Sequence, residues 1–475
     1  MAAVSEDVFF ASITELTNRL RAKEFSAVEL TRAFSERLER LGPRYNALAL
    51  SLAERAHRKA RDADDELKRG RYRPLQGIPY AVKDLFAIKN HPTTWGAKPY
   101  AGQVFDEDAQ VVRKLDKAGG IAIGKLAMIA LAGGGYKSAA ASLTGPCMNP
   151  WDRTRWAGGS SSGSGAATAL GLATFTLGTE TNGSIVTPSA YCGVTGLRPT
   201  YGLVSRRGVM AASWTMDKVG PMCRSAEDCG LVLQVIAGGD IEDPGSAGKG
   251  FSYAPQFARK PQELTIGYSP ADFSEWVDPS TRPAFQTALD AVKSLGFKLK
   301  EIQLPDFPYS AVAETISRGD RVSIFEELIE SGKVDQLTDR AQIAWLKASV
   351  DLPAREYLRA MRIRSLMQEA FRSLFIDIDM ILAPARGEVA PRINEPIDAS
   401  PVRNPEPKTP PIVGRIVAAG NLAGLPAISL PCGFAGNLPV AISFVGRPWT
   451  ENHLLGAGKL FQSQTDWHRR RPPVA

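Results

Sequence analysis

The sequence AGGSSSGSGAATALGLATFTLGTETNGSI, residues 157–185, is the most informative part of the chain about its fold. A run of Gly and Ser at 158–165 leads directly into small residues, which is typical of a loop followed by a closely packed helix. Residues 173–177 (ATFTL) predict a strand, which is followed by Gly178 and the polar residues TETNGS. The simplest interpretations of the two polar segments are a flexible loop and an Asn-Gly hairpin turn.

Short apolar runs alternate with helical segments on both sides of this stretch. Residues 78–88 and 121–123 predict strands, whereas residues 111–118 and 225–236 predict helices. Apolar strand signals return after residue 426. Strands that alternate with helices indicate an α/β fold. We therefore predict one large, mixed and mostly parallel β-sheet that is flanked by helices.

The first 70 residues differ from the rest because they predict helices. Ser12 and Ser26 each begin a capping box, in which a Ser and a Glu three residues later satisfy the free N–H groups of a first helical turn. Gly42-Pro43 ends the second helix. The predicted units are an N-terminal helical arm (1–70) and a main domain (71–475), whose core (about 76–240 and 411–465) is interrupted by an inserted, variable helical lobe (about 245–410).

The composition excludes several classes of protein. The chain has 475 residues and no apolar run of the ~20 residues that a membrane-spanning helix needs. Its amino terminus is acidic and lacks an apolar segment, unlike a signal peptide. The net charge is +7, but the Lys and Arg residues are spread along helical stretches, except at 469–471. We expect neither a membrane nor a nucleic acid as partner.

Cysteine and histidine usage indicates a reducing compartment and chemistry without a metal. The five cysteines are far apart, their number is odd and no C-x-x-C pair occurs, so we expect no disulfide framework. The four histidines form no pattern of metal ligands. We predict a cytoplasmic protein with no cofactor. The shortage of histidines also limits the choice of a catalytic base.

Three familiar catalytic motifs match only in part. Residues 119–125 fit the P-loop pattern, but Leu126 occupies the position of the magnesium-binding Ser or Thr. Residues 246–249 fit S-x-x-K, but they lie in a Gly- and Pro-rich connection rather than at a helix start. Ser161 is the centre of a G-x-S-x-G pattern, but a polar turn rather than a strand leads into it. We reject all three as sites.

Lys83 lies in an apolar run, with Tyr80-Ala81-Val82 before it and Leu85-Phe86 after it. A lysine in such a run often reaches solvent from the end of a strand. If it is buried instead, desolvation disfavours the charged form and lowers its pKa. A neutral lysine can accept a proton from an attacking serine through a bridging hydroxyl. The Gly-rich segment before Ser184 would leave backbone N–H groups free for an oxyanion hole.

Together these features resemble the amidase signature family, whose hallmark is a Gly/Ser-rich stretch followed by a nucleophilic serine in a T-G-G-S-I-like turn. Residues 77–84 are similar to the family's lysine strand, and residues 192–202, 217–222 and 420–433 continue the similarity. The resemblance implies the amidase signature fold. It also implies a serine hydrolase that cleaves carboxylic amide bonds, with esters or carbamates as further candidate substrates.

The resemblance assigns roles to individual residues. Ser184 aligns with the nucleophile, Ser160 with the bridging serine and Lys83 with the base. No metal is implied. The remaining residues that the resemblance implies are the oxyanion-hole N–H groups of Thr181, Asn182, Gly183 and Ser184, the supporting residues Ser161, Thr179 and Asp217, and the substrate loop Gly133, Gly134, Gly135 and Tyr136.

Three residues depart from the family pattern. Glu180 replaces the usual aspartate, Asn182 replaces the first of two glycines, and Val186 stands where many members carry arginine. Asn tolerates a positive φ better than most residues, so we expect the turn to persist, with the Asn182 side chain toward the pocket or the oxyanion hole. We expect no charge network around Val186. Because Lys83 and the two serines are all present, we expect an active enzyme.

Three other functions compete with a free-standing amidase. One is the glutaminase subunit of a tRNA-dependent amidotransferase, which hands ammonia to partner subunits, but residues 340–385 show no convincing match to its glutamine-binding stretch. The second is a non-catalytic scaffold on the amidase fold, and the third is a nucleotide-binding protein. For the main hypothesis we expect a small-molecule amide as partner and a monomer or homodimer.

The sequence does not identify the substrate, because specificity in this family depends on variable loops. The loops in question are residues 130–146 and parts of 310–410. Four aromatic residues are candidates to line the pocket, although core packing suits each of them better: Phe105, Tyr136, Trp214 and Trp345.

Overall fold

The computed structural model describes residues 4–255, 259–397 and 411–473. In these ranges eleven strands form one sheet. The strands are β1 (Leu48–Ser51), β2 (Pro79–Lys83), β3 (Ile121–Leu126), β4 (Phe175–Glu180), β5 (Thr195–Arg198), β6 (Lys218–Cys223), β7 (Thr265–Tyr268), β8 (Lys298–Glu301), β9 (Met380–Pro384), β10 (Ala427–Ala435) and β11 (Leu438–Gly446).

Fourteen α-helices are present in the same ranges. They are α1 (Ile13–Arg21), α2 (Ala27–Leu41), α3 (Ala53–Lys68), α4 (Gln110–Lys117), α5 (Ser162–Ala169), α6 (Val186–Cys192), α7 (Ala226–Ile236), α8 (Arg282–Ser294), α9 (Tyr309–Ile324), α10 (Glu326–Glu330), α11 (Arg340–Ser349), α12 (Ala354–Asp377), α13 (Ile416–Leu422) and α14 (Glu451–Ser463). None of these described helices combines the length and the apolar character needed to cross a membrane.

The sheet is mixed, with the strand order β1-β3-β2-β4-β6-β5-β10-β11-β9-β7-β8. Four neighbouring pairs are parallel: β2 with β3 and β4, and β7 with β8 and β9. The other six pairs are antiparallel. The predicted α/β sheet with flanking helices is confirmed, but the expectation that it is mostly parallel is wrong. Parallel strands need a long crossover, whereas the two residues between β10 and β11 permit only a hairpin.

The N-terminal arm is part of the main core. Ser12 and Ser26 form the two predicted capping boxes at α1 and α2. The arm also contains β1, an edge strand that pairs with β3 and that the sequence analysis missed. On α2, Phe34 and Leu38 are fully buried in the hydrophobic cluster that includes the strands of the sheet. Removal of the arm would therefore expose apolar surface of the core.

The region predicted as a helical lobe also supplies strands. It contributes β7, β8 and β9, which form one edge of the sheet, together with helices α8 to α12. These strands have only four or five residues, too few to show a clear apolar alternation in the sequence. Residues 256–258 and 398–410 of this region lie outside the described residues. The proposed domain boundaries stay a prediction.

The parallel neighbours β2 and β4 position the candidate site. β2 ends at Lys83 and β4 ends at Glu180, and the carboxyl ends of parallel strands meet at the same edge of a sheet. The loop after each strand therefore starts from nearly the same place. The helix α5 begins two residues after Ser160, and α6 begins two residues after Ser184. The loop, helix, strand and second turn predicted for residues 157–185 are all present. The helix α6 follows the second turn.

The rejected P-loop pattern lies in a strand. Residues 121–126 form β3, so the segment does not wrap around a phosphate. Lys125 instead makes a buried ion pair with Asp84, with Nζ 2.8 Å from Oδ1. Its Nζ also donates to the carbonyl oxygen of Pro92. Lys125, the lysine of this pattern, therefore has a structural role in an ion pair next to the end of β2.

Replacement of Phe34 by Ala tests whether the arm shares the core. The aromatic ring is fully buried, so Phe34→Ala should lower the free energy of unfolding by about 3–5 kcal/mol in one cooperative transition. Guanidinium denaturation followed by circular dichroism measures this change. The control is Glu36→Ala on the exposed face of α2, which should change it by less than about 0.5 kcal/mol. A separate early transition in Phe34→Ala would instead indicate an independent arm.

Candidate active site

Lys83, Ser160 and Ser184 form one continuous chain of hydrogen-bond distances. Nζ of Lys83 lies 2.7 Å from Oγ of Ser160, which lies 2.9 Å from Oγ of Ser184. The three side chains come from the end of β2, the loop before α5 and the turn after β4. The peptide bond between Gly159 and Ser160 is cis. The structure thus brings together the three residues that the sequence analysis selected.

The amine of Lys83 has no access to solvent. Burial lowers the pKa of Lys83 to about 7, with a further lowering from the Arg321 guanidinium and an opposing effect of the Asp217 carboxylate. Its Nζ also lies 3.0 Å from Oγ1 of Thr179, which can accept an N–H of the neutral amine. The lone pair of that amine is then free to face Ser160. A neutral amine near pH 7 has the protonation state that a general base needs.

The turn that carries Ser184 presents free backbone donors. Gly183 adopts a φ of +94°, in the left-handed region that favours glycine, so Asn182 is not required to do so. The exposed side chain of Asn182 lines the cavity in front of Ser184. In the part of the chain that the structure describes, the N–H groups of residues 181–184 donate to no protein atom. This described turn therefore has backbone N–H groups without a protein acceptor, as an oxyanion hole requires.

A buried carboxylate, which the sequence analysis did not identify as part of the site, supports this turn. Oε2 of Glu180 accepts the backbone N–H groups of Ile185 and Val186, at 2.8 and 2.9 Å. Its Oε1 accepts from Nη1 of Arg198 and from Nδ2 of Asn421, both at 2.8 Å. Burial alone would raise the pKa of Glu180, but Arg198 and these donors lower it to about 2.

The expectation that no charge network surrounds Val186 is therefore wrong. The positive charge of this network is the Arg198 guanidinium, which pairs with Glu180. Arg198 lies on β5 and not in the turn itself. Arg198 and Asn421 both lie in the segments that resemble the amidase signature family, residues 192–202 and 420–433. Nothing in the sequence pairs them with Glu180, since Arg198 follows it by 18 residues and Asn421 by 241.

The three residues predicted to be supporting groups all lie at the site. Oγ of Ser161 donates to the carbonyl oxygen of Thr179 and accepts its N–H, so it joins the helix start to β4 and does not face the cavity. The backbone N–H of Ser161 donates to the carbonyl oxygen of Ser184. Asp217 accepts from Oγ1 of Thr181 at 2.6 Å. These contacts hold the strand, the two serines and the turn in one arrangement.

A cavity of about 240 Å³ lies in front of Ser184. Gly133, Gly134, Gly135 and Tyr136, predicted to be a substrate loop, line one side of it. At Gly135, where φ is +70°, an added Cβ would lie 2.2 Å from the Trp345 ring. The loop therefore packs too closely on α11 for any larger residue. The charged residues that line the cavity, none of which the sequence analysis identified, are Glu314, Arg321 and Arg386.

The four aromatic candidates have different positions. Tyr136 lines the cavity and packs edge-on against Trp156. Trp345 lies beneath the glycine loop, and Phe105 stacks on Trp95 at a centroid distance of 6.2 Å. Trp214 is 56% exposed and lines a separate, neighbouring cavity. Only Tyr136 among the four contacts the space in front of Ser184.

The described residues offer no metal centre. In the ranges 4–255, 259–397 and 411–473, no group of three or more His, Cys, Asp or Glu side chains is arranged to hold a metal ion. No described histidine lines the cavity in front of Ser184. All five cysteines are buried and free.

This fold and this serine–lysine site define an enzyme of the C–N hydrolase class. The model of the Amidase family matches residues 29–455. The chain therefore belongs to the amidase signature family, as the sequence resemblance predicted, and is an amidase acting on linear amides.

Named relatives of this chain fall into two groups. It is 38% identical to the A-type subunit of the glutamyl-tRNA(Gln) amidotransferase of Dechloromonas aromatica, with 97% of this chain and 99% of the relative covered. The corresponding protein of Methylococcus capsulatus is 35% identical, with 97% and 98% covered. The crystal structure of the peptide amidase from Stenotrophomonas maltophilia matches with a TM-score of 0.83 and 28% identity, with 98% of each chain covered.

The pH dependence of activity tests the role of Lys83. Because the base must be neutral, kcat/KM for an uncharged amide should rise tenfold per pH unit below about pH 7 and level off above it. Lys83→Ala should lower kcat by at least about 100-fold at pH 8 with the fold intact. The control is Lys98→Ala at an exposed lysine, which should leave kcat unchanged. Retained turnover in Lys83→Ala, with loss in His453→Gln or His468→Gln, would overturn the assignment.

Glu180→Gln tests the buried carboxylate network. The substitution keeps the side-chain length but leaves the Arg198 guanidinium buried without a counter-charge, so the free energy of unfolding should fall by about 3–5 kcal/mol. The kcat should fall as well, because the turn that carries Ser184 loses its anionic acceptor. Urea denaturation and steady-state kinetics measure the two effects. The matched control is Glu227→Gln, which breaks a surface ion pair with Lys459 and should cost less than about 1 kcal/mol. Equal losses in both variants would contradict a special role of Glu180.

Proposed function

We propose that this amidase hydrolyses small carboxylic amides through an acyl-enzyme on Ser184. Neutral Lys83 acts as the base, Ser160 relays the proton, and the backbone N–H groups of residues 181–184 bind the oxyanion. One observation supports this best: an unbroken chain of hydrogen-bond distances leads from a fully buried lysine to a serine that faces a cavity.

The proposed reaction has two stages, acylation of Ser184 and hydrolysis of the acyl-enzyme. Oγ of Ser184 attacks the carbonyl carbon while its proton passes to Ser160, whose own proton passes to Nζ of Lys83. Collapse of the tetrahedral intermediate breaks the C–N bond, and the proton returns through Ser160 to the departing amine. Water then attacks the acyl-enzyme and passes a proton along the same path. The carboxylic acid leaves, and the hydroxyl of Ser184 is restored.

A second candidate is the glutaminase subunit of a tRNA-dependent amidotransferase. The curated relatives favour it over a free-standing amidase, because those with 35% and 38% identity over nearly the whole chain carry the name of such an amidotransferase component. The fold match to a peptide amidase supports the free-standing alternative. In the second candidate, the same chemistry at Ser184 would release ammonia from glutamine for partner subunits. Co-purification with such subunits and glutamine turnover only in their presence would select it.

The two candidates imply different partners. A free-standing amidase needs a small-molecule amide and functions as a monomer or homodimer, whereas the glutaminase would join further subunits that serve a tRNA. The cytoplasm is our proposed location for either, supported by five cysteines that are all free. A non-catalytic scaffold and a nucleotide-binding protein are disfavoured, because neither explains the arrangement of Lys83, Ser160 and Ser184.

Reaction with a fluorophosphonate tests the nucleophile in both candidates. We expect a single covalent adduct on Ser184, because among the described serines only this one combines the relay to Lys83 with a turn of free backbone donors. Peptide mass mapping locates the adduct. It should be absent in Ser184→Ala and form at least about 100-fold more slowly in Lys83→Ala.

The neighbouring serine provides the matched control. Ser161→Ala removes a hydroxyl that bonds the backbone of Thr179 and does not face the cavity, so labelling of Ser184 should persist. An adduct on Ser161 would revive the rejected G-x-S-x-G motif. No adduct on a protein with intact circular dichroism would refute the proposed nucleophile.

A further inference from the structure

Arg321 places a buried positive charge at the cavity in front of Ser184. It belongs to α9 and is 2% exposed. Nη1 donates to the carbonyl oxygen of Leu131 at 2.6 Å, and Nη2 donates to that of Ala132 at 3.3 Å. Nε donates to Oγ of Ser317 at 3.2 Å. All of its hydrogen-bond acceptors in the described chain are thus uncharged.

Within the described ranges of the chain, no carboxylate neutralises this guanidinium directly. In the described ranges 4–255, 259–397 and 411–473, Arg321 takes part in no ion pair within 4 Å. Asp217, Asp320 and Glu314 act on it from longer distances. Each of them is bonded to other donors: Asp217 to Thr181, Asp320 to Tyr357 and Glu314 to the indole N–H of Trp345. Burial lowers the pKa of Arg321, as expected for a charge removed from water.

The other charges at the cavity do not offset Arg321. Arg386 is paired with Glu388, since both Nε and Nη2 of its guanidinium donate to Oε1, at 3.0 and 2.7 Å. Glu314 is exposed at the rim, where water and salt screen its charge. A buried charge is screened much less. In the part of the chain that the structure describes, Arg321 is therefore the cation lining this cavity that has no directly bonded carboxylate.

The guanidinium retains donors for a ligand. A guanidinium has five N–H groups, and the three hydrogen bonds above leave one N–H on each Nη atom. A carboxylate that accepts a remaining N–H group forms a charge-assisted hydrogen bond, which is about twice as strong as a neutral one. A buried cation is unfavourable without a counter-ion, so an anionic group that replaces water here is stabilised.

We propose that the amide substrate carries a carboxylate that binds Arg321 while its carboxamide lies at Ser184. The proposal rests on the function proposed above and adds the chemical class of the substrate: an ω-amide of a dicarboxylic acid, or another amide with a carboxylate at a similar separation. The same cavity, lined by both residues, holds the two ends of the molecule.

Matched pairs of amides test this class. Succinamate, glutaramate and adipamate are compared with butyramide, pentanamide and hexanamide, in which a methyl group replaces the carboxylate at equal chain length. Ammonia release gives kcat/KM for each. The protein should prefer the carboxylate member by at least about tenfold at one chain length, since a charge-assisted hydrogen bond contributes about 1.5–3 kcal/mol and 1.4 kcal/mol is tenfold.

Variants separate charge recognition from a structural role. Arg321→Gln should lower the carboxylate preference by at least about tenfold, whereas Arg321→Lys, which keeps the charge, should retain part of it. Damage to the loop at Leu131 and Ala132 would lower turnover of both members of a pair equally, so the ratio isolates the charge. The matched control is Arg318→Gln on the same helix, whose guanidinium bonds Ala348 and Ser349 away from the cavity. It should leave the ratio unchanged.

The possible outcomes separate this inference from the proposed function. Hydrolysis of the neutral amides alone, or an equal loss for both members in Arg321→Gln, would overturn the carboxylate site and leave the amidase mechanism standing. Failure of the protein to hydrolyse any of the six amides would contradict both. A carboxylate preference that Arg321→Gln abolishes supports the inference.

Discussion

The buried carboxylate of Glu180 holds the parts of the active site together. It accepts hydrogen bonds from the turn after Ser184, from Arg198 on β5 and from Asn421 on α13. A carboxylate in the protein interior is costly unless donors surround it, and here four donors do so. The arrangement links the end of β4, the nucleophile turn and the returning carboxyl-terminal segment, so that the turn has little freedom to move.

The burial of Lys83 is a second constraint on the site, and it is linked to the Glu180 carboxylate through strand β4. The strand β4, which ends in Glu180, also provides Thr179, whose hydroxyl is one of two oxygens near the lysine amine. With Ser160 as the other, the amine is hydrogen-bonded without a carboxylate partner. Desolvation therefore outweighs the attraction of Asp217, and the pKa of Lys83 falls to about 7. A direct ion pair at this position would favour the charged amine, which could not act as the base that we propose.

Several elements could be predicted from the sequence because their signals are local. The capping boxes at Ser12 and Ser26 and the turn around Gly183 depend on residues a few positions apart, and the structure has each of them. The direction of the strands could not be predicted in this way. It depends on which strands become neighbours, and the antiparallel pair of β5 and β10 joins strands from distant parts of the chain. The short strands of residues 245–410 were missed for a similar reason, since they are stabilised by the sheet that they join.

Lys83, Ser160 and Ser184 could be selected as the candidate site from the sequence, because a serine nucleophile without histidine needs another base and the motifs around these residues are specific. The free backbone N–H groups could also be anticipated, since Gly183 gives the turn its shape. The electrostatics around these groups, in contrast, arise only when the chain folds. Glu180 and Asn421 are 241 residues apart, and Arg321 contacts a carbonyl group 190 residues away. Charges act through space, so their effect on the site follows from the folded arrangement and not from their spacing along the chain.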